Sequence, residues 1–418
     1  MNPVAVLTIA IALLAYGLVS RRIQGSILTG PMLFAAFGFA VGPDGAGLVP
    51  LRVSHEGLHL LAEITLILVL FSDAANLDLR QLRRDHNLPV RMLTIGLPLS
   101  IVLGAALALG LLAGFSIWEA LLLAAILAPT DAALGQAVIT NPVVPVRIRQ
   151  TLNVESGLND GIAFPFVLVF ATVATMADAG QQASDWILFA IKQMGLGPLA
   201  GIAVGFVGAK LVAFCHRADW MSETAEGIVA LALAFAAYQA AELIGGNGFI
   251  SAFAAGLSFG NTLGRHCKFL FEFADAEGLF LILLTFMAFG SAMIPMALPD
   301  FNLVYLLYAV LTLTVIRMLP VSVALLGTGV SPVTSAFLGW FGPRGLASVL
   351  YVLVVLEGAE MPHKHEIFVI CTLTIMLSIV LHGVSAVPAA RWYGRQSEAM
   401  GECEENRPVS ERPWSSQE

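Results

Sequence analysis

Apolar residues fill this chain in long unbroken runs, separated by short clusters of turn residues and charges. Runs of about 20 residues are long enough for a helix to cross a hydrocarbon core about 30 Å thick. Inside the runs apolar side chains follow one another continuously and do not alternate at period two, so the spans read as helices and not as the strands of a barrel. Cutting the chain at its turn and charge clusters predicts about thirteen helices. They cover roughly 3–19, 25–42, 57–76, 89–113, 117–140, 151–176, 186–214, 222–243, 247–263, 276–296, 302–326, 332–356 and 364–389. The stretch 245–263, short and rich in glycine, has the weakest helical pattern of the set.

Composition narrows the class to an all-α polytopic membrane protein. Of 418 residues, 58% are hydrophobic and 12% charged, with a mean hydropathy of +0.84. A soluble protein carries about 25% charged residues. The net charge of −8 says little about partners, because in Gln396–Glu418 six Glu oppose two Arg. That segment, 396–418, is expected to be a short, disordered cytoplasmic tail, leaving 1–395 as the transmembrane domain. The start, MNPVAVLTIA, lacks a basic n-region and reads as a first membrane helix that stays. Cys215, Cys267, Cys371 and Cys403 show neither pairing pattern nor metal spacing, which fits reduced thiols. These 418 residues leave no room for a nucleotide-binding domain, which argues against an ATP-driven pump.

Loop charge predicts orientation. Loops after odd-numbered helices and the C-terminal flank hold Arg21, Arg22, Arg80, Arg83, Arg84, Arg91, Arg147, Arg149, Arg217, Arg265, Lys268, Arg391 and Arg395. Loops after even-numbered helices hold only Arg52, Lys192 and Lys364. The positive-inside rule therefore puts the N-terminus outside and the C-terminus in the cytoplasm, which requires an odd number of spans. Without targeting signals or large tails, the expected location is a bacterial inner membrane.

Charges within the spans are costly at about 2.5–3.5 kcal/mol each at mid-bilayer, and so mark function. Glu119 and Glu242 lie near predicted helix ends, where a solvated role is expected. In APTDAALGQ, residues 128–136, Pro129 cannot donate an N–H and should break the fifth helix around Thr130-Asp131. In FLGWFGPRGLAS, residues 337–348, Gly342-Pro343 interrupts the twelfth helix and Arg344 follows. Paired interruptions of this kind point to a transport site in an inverted repeat. Helices one to six and eight to thirteen, joined by the seventh, would make such six-helix repeats. In NVESGLNDGIAFPFVLVF, residues 153–170, Glu155 and Asn159 lie one turn apart, as do Ser156 and Asp160. Asp160 with Ser156 offers oxygen ligands to a hard cation, and one carboxylate binds either a proton or a cation, not both. Arg317, alone in its span, needs a carboxylate from another helix.

Together these residues resemble the monovalent cation/proton antiporter-1 branch of the cation–proton antiporter superfamily, which includes the bacterial NhaP-type sodium/proton antiporters. The matching motifs are Pro129-Thr130-Asp131, Glu155-Ser156-Gly157-Leu158-Asn159-Asp160-Gly161 and Gly342-Pro343-Arg344-Gly345. The resemblance covers nearly the whole chain. It implies an NhaA-like antiporter fold of thirteen helices with discontinuous helices five and twelve, and a homodimer. Core helices at 57–176 and 276–389 would move, elevator-fashion, against dimerisation helices at 3–42 and 186–263. Carried over, Asp160 binds cation and proton, Ser156 contributes its hydroxyl, Thr130 a carbonyl, and Asp131 acts directly or through water. Glu155 would pair with Arg317, Asn159 would join that network, and Arg344 would neutralise helix ends at the crossing. Relatives carry Phe-Glu where this chain has Phe71-Ser72-Asp73, so the acid is shorter and shifted about 100° around the helix. Asp73 is included in the expected site. The Asn159-Asp160 pair resembles that of electroneutral one-for-one exchangers.

The expected activity is Na⁺/H⁺ exchange, with Li⁺ or K⁺ as variants, serving pH and sodium homeostasis. The cation and proton are substrates; no cofactor and no nucleic-acid partner are implied. A K⁺/H⁺ antiporter is the alternative, then a cation channel, against which stands the lack of a repeated filter motif. A membrane-embedded enzyme is disfavoured, because HKHEIF at 363–368 lacks the His-Glu-x-x-His order of a metal site.

Overall fold

The computed structural model describes residues 3–23, 26–49, 56–77, 79, 87–178, 183–263, 268–356, 360–401 and 403–406. Among these, all regular structure is helical. In chain order the helices are α1 (Pro3–Ile23), α2 (Gly30–Val41), α3 (Glu56–Ala75), α4 (Asn87–Leu111), α5 (Ile117–Ile126), α6 (Ala132–Ile139), α7 (Val146–Asp178) and α8 (Ala183–Arg217). They continue with α9 (Glu223–Leu243), α10 (Gly248–Leu263), α11 (Lys268–Ala288), α12 (Leu303–Ala324), α13 (Pro332–Trp340), α14 (Leu346–Tyr351) and α15 (Lys364–Ala399). Nine helices among the described residues are long and apolar enough to cross a bilayer. Shorter apolar helices, Gly30–Val41, Ile117–Ile126 and Leu346–Val355, account for other predicted spans. The glycine-rich 247–263 is helical after all.

Local chemistry explains the boundaries. Thr29, Ser331 and Asn302 cap α2, α13 and α12 by accepting from the N–H of Met32, Thr334 and Val304. At α5, Ser116 and Glu119 form a reciprocal capping box. Pro98 and Pro295 each follow a π turn, at Met92–Gly96 and Phe289–Met293. The wider turn absorbs the clash a proline makes with the carbonyl four residues before it.

Packing divides the helices into two groups. α4 to α7 and α12 to α15 surround the two interrupted helices, while α2, α3 and α8 to α11 form a second layer. Of the segments expected in the core, 57–76 and 276–296, α3 packs chiefly on α10, and α11 on α2 and α3. The reason is glycine. A Cβ at Gly256 or Gly260 of α10 would lie 2.1 or 2.0 Å from the carbonyl oxygens of Phe71 and Ala75 of α3. Gly201 and Gly205 of α8 press in the same way on Ser251 and Ala255 of α10. Backbones this close interlock by van der Waals contact, the means of helix association where lipid removes a hydrophobic driving force.

Helix α15 runs through Ala399, and residues 403–406 fold back on the bundle; 407–418 lie outside the described residues. Arg147 at the start of α7 pairs with the Glu404 carboxylate at 2.6 Å. Buried Glu405 accepts the Ser331 N–H at 2.6 Å and the Thr334 hydroxyl at 2.8 Å. Burial alone would raise the Glu405 carboxyl, but the Ser331 and Thr334 donors outweigh it and hold the group below the usual carboxylate range. A lowered folded value stabilises docking above about pH 4.5, and that stabilisation is lost as pH falls through it. Glu405→Ala removes a charge-assisted acceptor from two donors and is expected to speed proteolytic trimming of the C-terminus about tenfold at neutral pH. Time courses of limited proteolysis in detergent measure this, and the wild type should converge on the variant's rate as pH is taken progressively below 4.5.

Candidate ion site at the helix crossing

Two helix interruptions meet in the middle of the first group. After Ile126 the chain leaves helical geometry until Ala132, and after Trp340 until Leu346. Pro129 and Pro343 lack the N–H that would continue each helix, and the freed backbone groups bond across the crossing. The Asp131 N–H donates to the Pro343 carbonyl at 2.8 Å, and the Leu346 N–H to Asp131 Oδ2 at 2.6 Å. Ser348 donates to the Ile126 carbonyl at 2.7 Å. Arg344 Nη1 donates to the carbonyls of Ala128 and Pro129 at 2.9 and 3.1 Å, at the negative end of the broken α5. Gly345 is required by space: a Cβ there would lie 2.0 Å from Asp131 Oδ2.

Helix α7 runs beside this crossing and brings the acid-rich stretch to it. Ser156 Oγ donates to the Thr130 carbonyl at 2.7 Å, and Asn159 Nδ2 to Thr130 Oγ1 at 2.5 Å. Asp160, one turn beyond Ser156, is 8% exposed, and its backbone carbonyl accepts the Tyr351 hydroxyl at 2.7 Å. Asp160 Oδ1 and Asn159 Oδ1 are buried with no hydrogen-bond partner. The carboxylates of Asp73, Asp131 and Glu155 lie within electrostatic range of Asp160. A cavity of about 10 Å³, room for about one water, reaches Thr130, Asp131 and Ser156 from the side of Ile139, Leu152 and Phe341.

Glu155 faces away from this opening. Its Oε1 lies 2.6 Å from Arg317 Nη1 and its Oε2 2.8 Å from Nη2, with both side chains 2% exposed. This fork geometry is the strongest form of carboxylate–guanidinium contact. Asp131 is occupied by backbone: besides Leu346, it accepts from the Leu134 N–H at 3.4 Å, capping both restarted helices. Its geometry is therefore that of a backbone cap more than of a free ligand. Asp73, half-buried on α3, belongs to the second layer, with its carbonyl 4.0 Å from where a Gly157 Cβ would stand. Among the described residues no group of three His, Cys, Asp or Glu side chains is placed to hold a metal ion.

Several polar groups escaped the sequence reading. Glu119, expected to be solvated, is 3% exposed and accepts the His363 N–H at 3.0 Å, with His363 Nδ1 3.1 Å away. Its signal was the Ser116-x-x-Glu119 spacing of a capping box. Glu63, within the third apolar run, accepts the Tyr238 hydroxyl at 2.7 Å, a pairing visible only in space. His382 and Ser378 of α15, one turn apart in an apolar run, bond the interrupted helix.

Three variants test the buried charges and the close approach. Arg317→Ala strands the Glu155 carboxylate and is expected to lower stability by about 3–5 kcal/mol, with Glu155→Gln/Arg317→Met recovering most of it. Gly345→Ala forces Asp131 off its backbone donors and is expected to lower stability by about 1–3 kcal/mol. Thermal unfolding of purified protein in detergent measures all three.

The family described as the transmembrane sodium/hydrogen exchanger matches residues 9–392. The chain is 26% identical over 379 residues to the K(+)/H(+) antiporter NhaP of Alkalimonas amylolytica, covering 90% of this chain and 64% of that protein. It is 28% identical over 385 residues to the K(+)/H(+) antiporter NhaP2 of a Shewanella species, strain MR-4, covering 89% and 63%. It is 28% identical over 335 residues to the Na(+)/H(+) antiporter ApNhaP of Aphanothece halophytica, covering 76% and 62%. The chain thus spans less than two thirds of the length of these relatives. Its fold is that of the sodium proton antiporter MjNhaP1 of Methanocaldococcus jannaschii, with a TM-score of 0.74 and 20% identity over 91% of this chain and 98% of that one. With 384 consecutive positions, 9 through 392, inside one family pattern, the chain belongs to the transmembrane sodium/hydrogen exchanger family.

Proposed function

We propose that this chain is a secondary antiporter that exchanges a monovalent cation for a proton, Na⁺ first among the candidates. The observation that carries this is the pair of buried, unpartnered oxygens, Asp160 Oδ1 and Asn159 Oδ1, on the stretch of α7 whose Ser156 hydroxyl bonds the Thr130 carbonyl. Buried oxygens without donors are costly, and a proton or a cation relieves that cost equally well. A cation takes the Thr130 carbonyl and Ser156 oxygen once the hydroxyl proton turns aside, and a proton on Asp160 removes its affinity for that cation. Trading one for the other moves no net charge if Glu155 stays paired with Arg317 and Asp131 stays on its backbone donors. That supports electroneutral exchange.

Potassium is the second reading, because relatives named K(+)/H(+) antiporters align over most of the chain. The cavity opens from the crossing toward the end of the bundle where Arg147, Arg149 and the C-terminus of α15 lie, which we assign to the cytoplasm of a bacterial inner membrane. Toward the other end, Phe164 of α7 meets Tyr351 at 5.3 Å and Phe249 of α10 at 5.1 Å between ring centres, closing that side. One open and one closed side supports alternating access, with the first group as the moving core and the second layer as the dimer scaffold. Homodimerisation, through that scaffold, is part of the same reading.

Vesicles containing purified protein, loaded with a pH gradient and challenged with Na⁺, K⁺ or Li⁺ between pH 6 and 9, test the reading. Wild type is expected to dissipate the gradient with one of these ions, and Asp160→Asn to lose at least about 100-fold in rate through loss of the shared site. Gradient-independent flux would point to a channel instead, and wild type inert toward every cation would refute exchange.

A further inference from the structure

The interrupted twelfth span is held from behind by one face of α15. Ser378, His382 and Ser385 stand at i, i+4 and i+7 of that helix and all point at the break. His382 Nε2 lies 2.9 Å from the carbonyl of Trp340, the last residue of α13. Its Nδ1 lies 3.2 Å from the Ser378 hydroxyl and 3.0 Å from the Ser378 carbonyl. Ser378 Oγ accepts the Arg344 N–H at 2.6 Å. Ser385 Oγ accepts from the Trp340 indole at 3.0 Å, and that indole packs on the His382 ring with 5.0 Å between centres. Nε2 meets only a carbonyl, which only accepts, whereas Nδ1 can accept the Ser378 hydroxyl proton, so the Nε2–H tautomer is the neutral form that satisfies both ring nitrogens.

We propose that His382 is a positioning residue for cation binding. Its Nε2–H ties down the last residue before the break, and through Ser378 its ring also bears on Arg344 within the break. Residues 342–344 are thereby clamped at both ends, although none of their N–H groups makes a helical bond to the residue four before it. From Arg344 the constraint passes to the carbonyls of Ala128 and Pro129, and from Pro343 to the Asp131 N–H. Those contacts flank Thr130, whose carbonyl meets Ser156. His382 touches neither cation nor Asp160. It acts by fixing where the Thr130 oxygen stands, so its loss changes how tightly the cation is held more than how fast the loaded core moves. At 1% exposed, it is out of reach of the bulk water that would otherwise replace these bonds.

The inference rests on the antiport reading, and one experiment separates the two. Full-length protein in vesicles is assayed for cation-driven proton movement against the concentration of the active ion, for wild type, Asp160→Asn, His382→Leu, His382→Gln and His382→Asn. Exchange by wild type and its loss in Asp160→Asn support the antiport reading. His382→Leu is then expected to raise the half-saturating cation concentration about fivefold, as loss of one ordinary hydrogen bond would, with the maximal rate within about twofold. His382→Gln places an amide donor near the same carbonyl and should restore most of the affinity; His382→Asn, too short to reach it, should resemble Leu. If the leucine protein does not accumulate, the Gln and Asn pair makes the same comparison. An unchanged half-saturating concentration in Leu or Asn, or Gln no better than either, overturns this inference and leaves the antiport reading intact. Wild type that exchanges no cation overturns both.

Discussion

Backbone amides that cannot be hydrated are the constraint from which the rest of this structure follows. A continuous helix satisfies its own backbone in an apolar medium, whereas each break frees N–H and C=O groups that water cannot reach. Here two breaks lie against each other, and each supplies what the other lacks: Asp131 to Pro343, Leu346 to Asp131, Arg344 to Ala128 and Pro129. The crossing is therefore a single hydrogen-bonded unit formed from two distant parts of the chain. It carries polar atoms into the middle of the bundle, where an apolar medium would otherwise exclude them.

Charge in the core follows the same logic. Arg317 and Arg344 are both fully buried, yet they are treated differently. Arg317 is neutralised by a forked contact to Glu155, so that pair acts as packing with a fixed orientation. Arg344 faces carbonyl oxygens instead, a distributed negative charge that does not titrate. Neither arrangement depends on the protonation of Asp160, which leaves that carboxylate as the group whose charge can change without unmaking the structure around it.

The helical class, the positions of the spans and both breaks were legible in the sequence, because apolar run length and Pro-Thr-Asp or Gly-Pro-Arg interruptions are local signals. The spacing of Glu155, Ser156, Asn159 and Asp160 on one helix was legible for the same reason. Which helices pack together was not. The assignment of α3 and α11 to the second layer depends on glycines in α10 meeting particular carbonyls, a match between surfaces far apart in sequence. The partners of Asp131 were hidden likewise, since an acid after a proline reads equally as an ion ligand or as a cap until its neighbours are known. The docked 403–406 segment was missed because its acidic composition describes how it would behave alone, not beside Arg147 and the start of α13.

Gly161 follows Asp160 directly, and a Cβ on it would lie 2.2 Å from the Phe253 ring of α10. The ring therefore rests on bare backbone one residue after the carboxylate, where only a glycine leaves it room. A side chain at that position would have to push the ring away, and the close contact between α7 and α10 beside the aspartate would be lost.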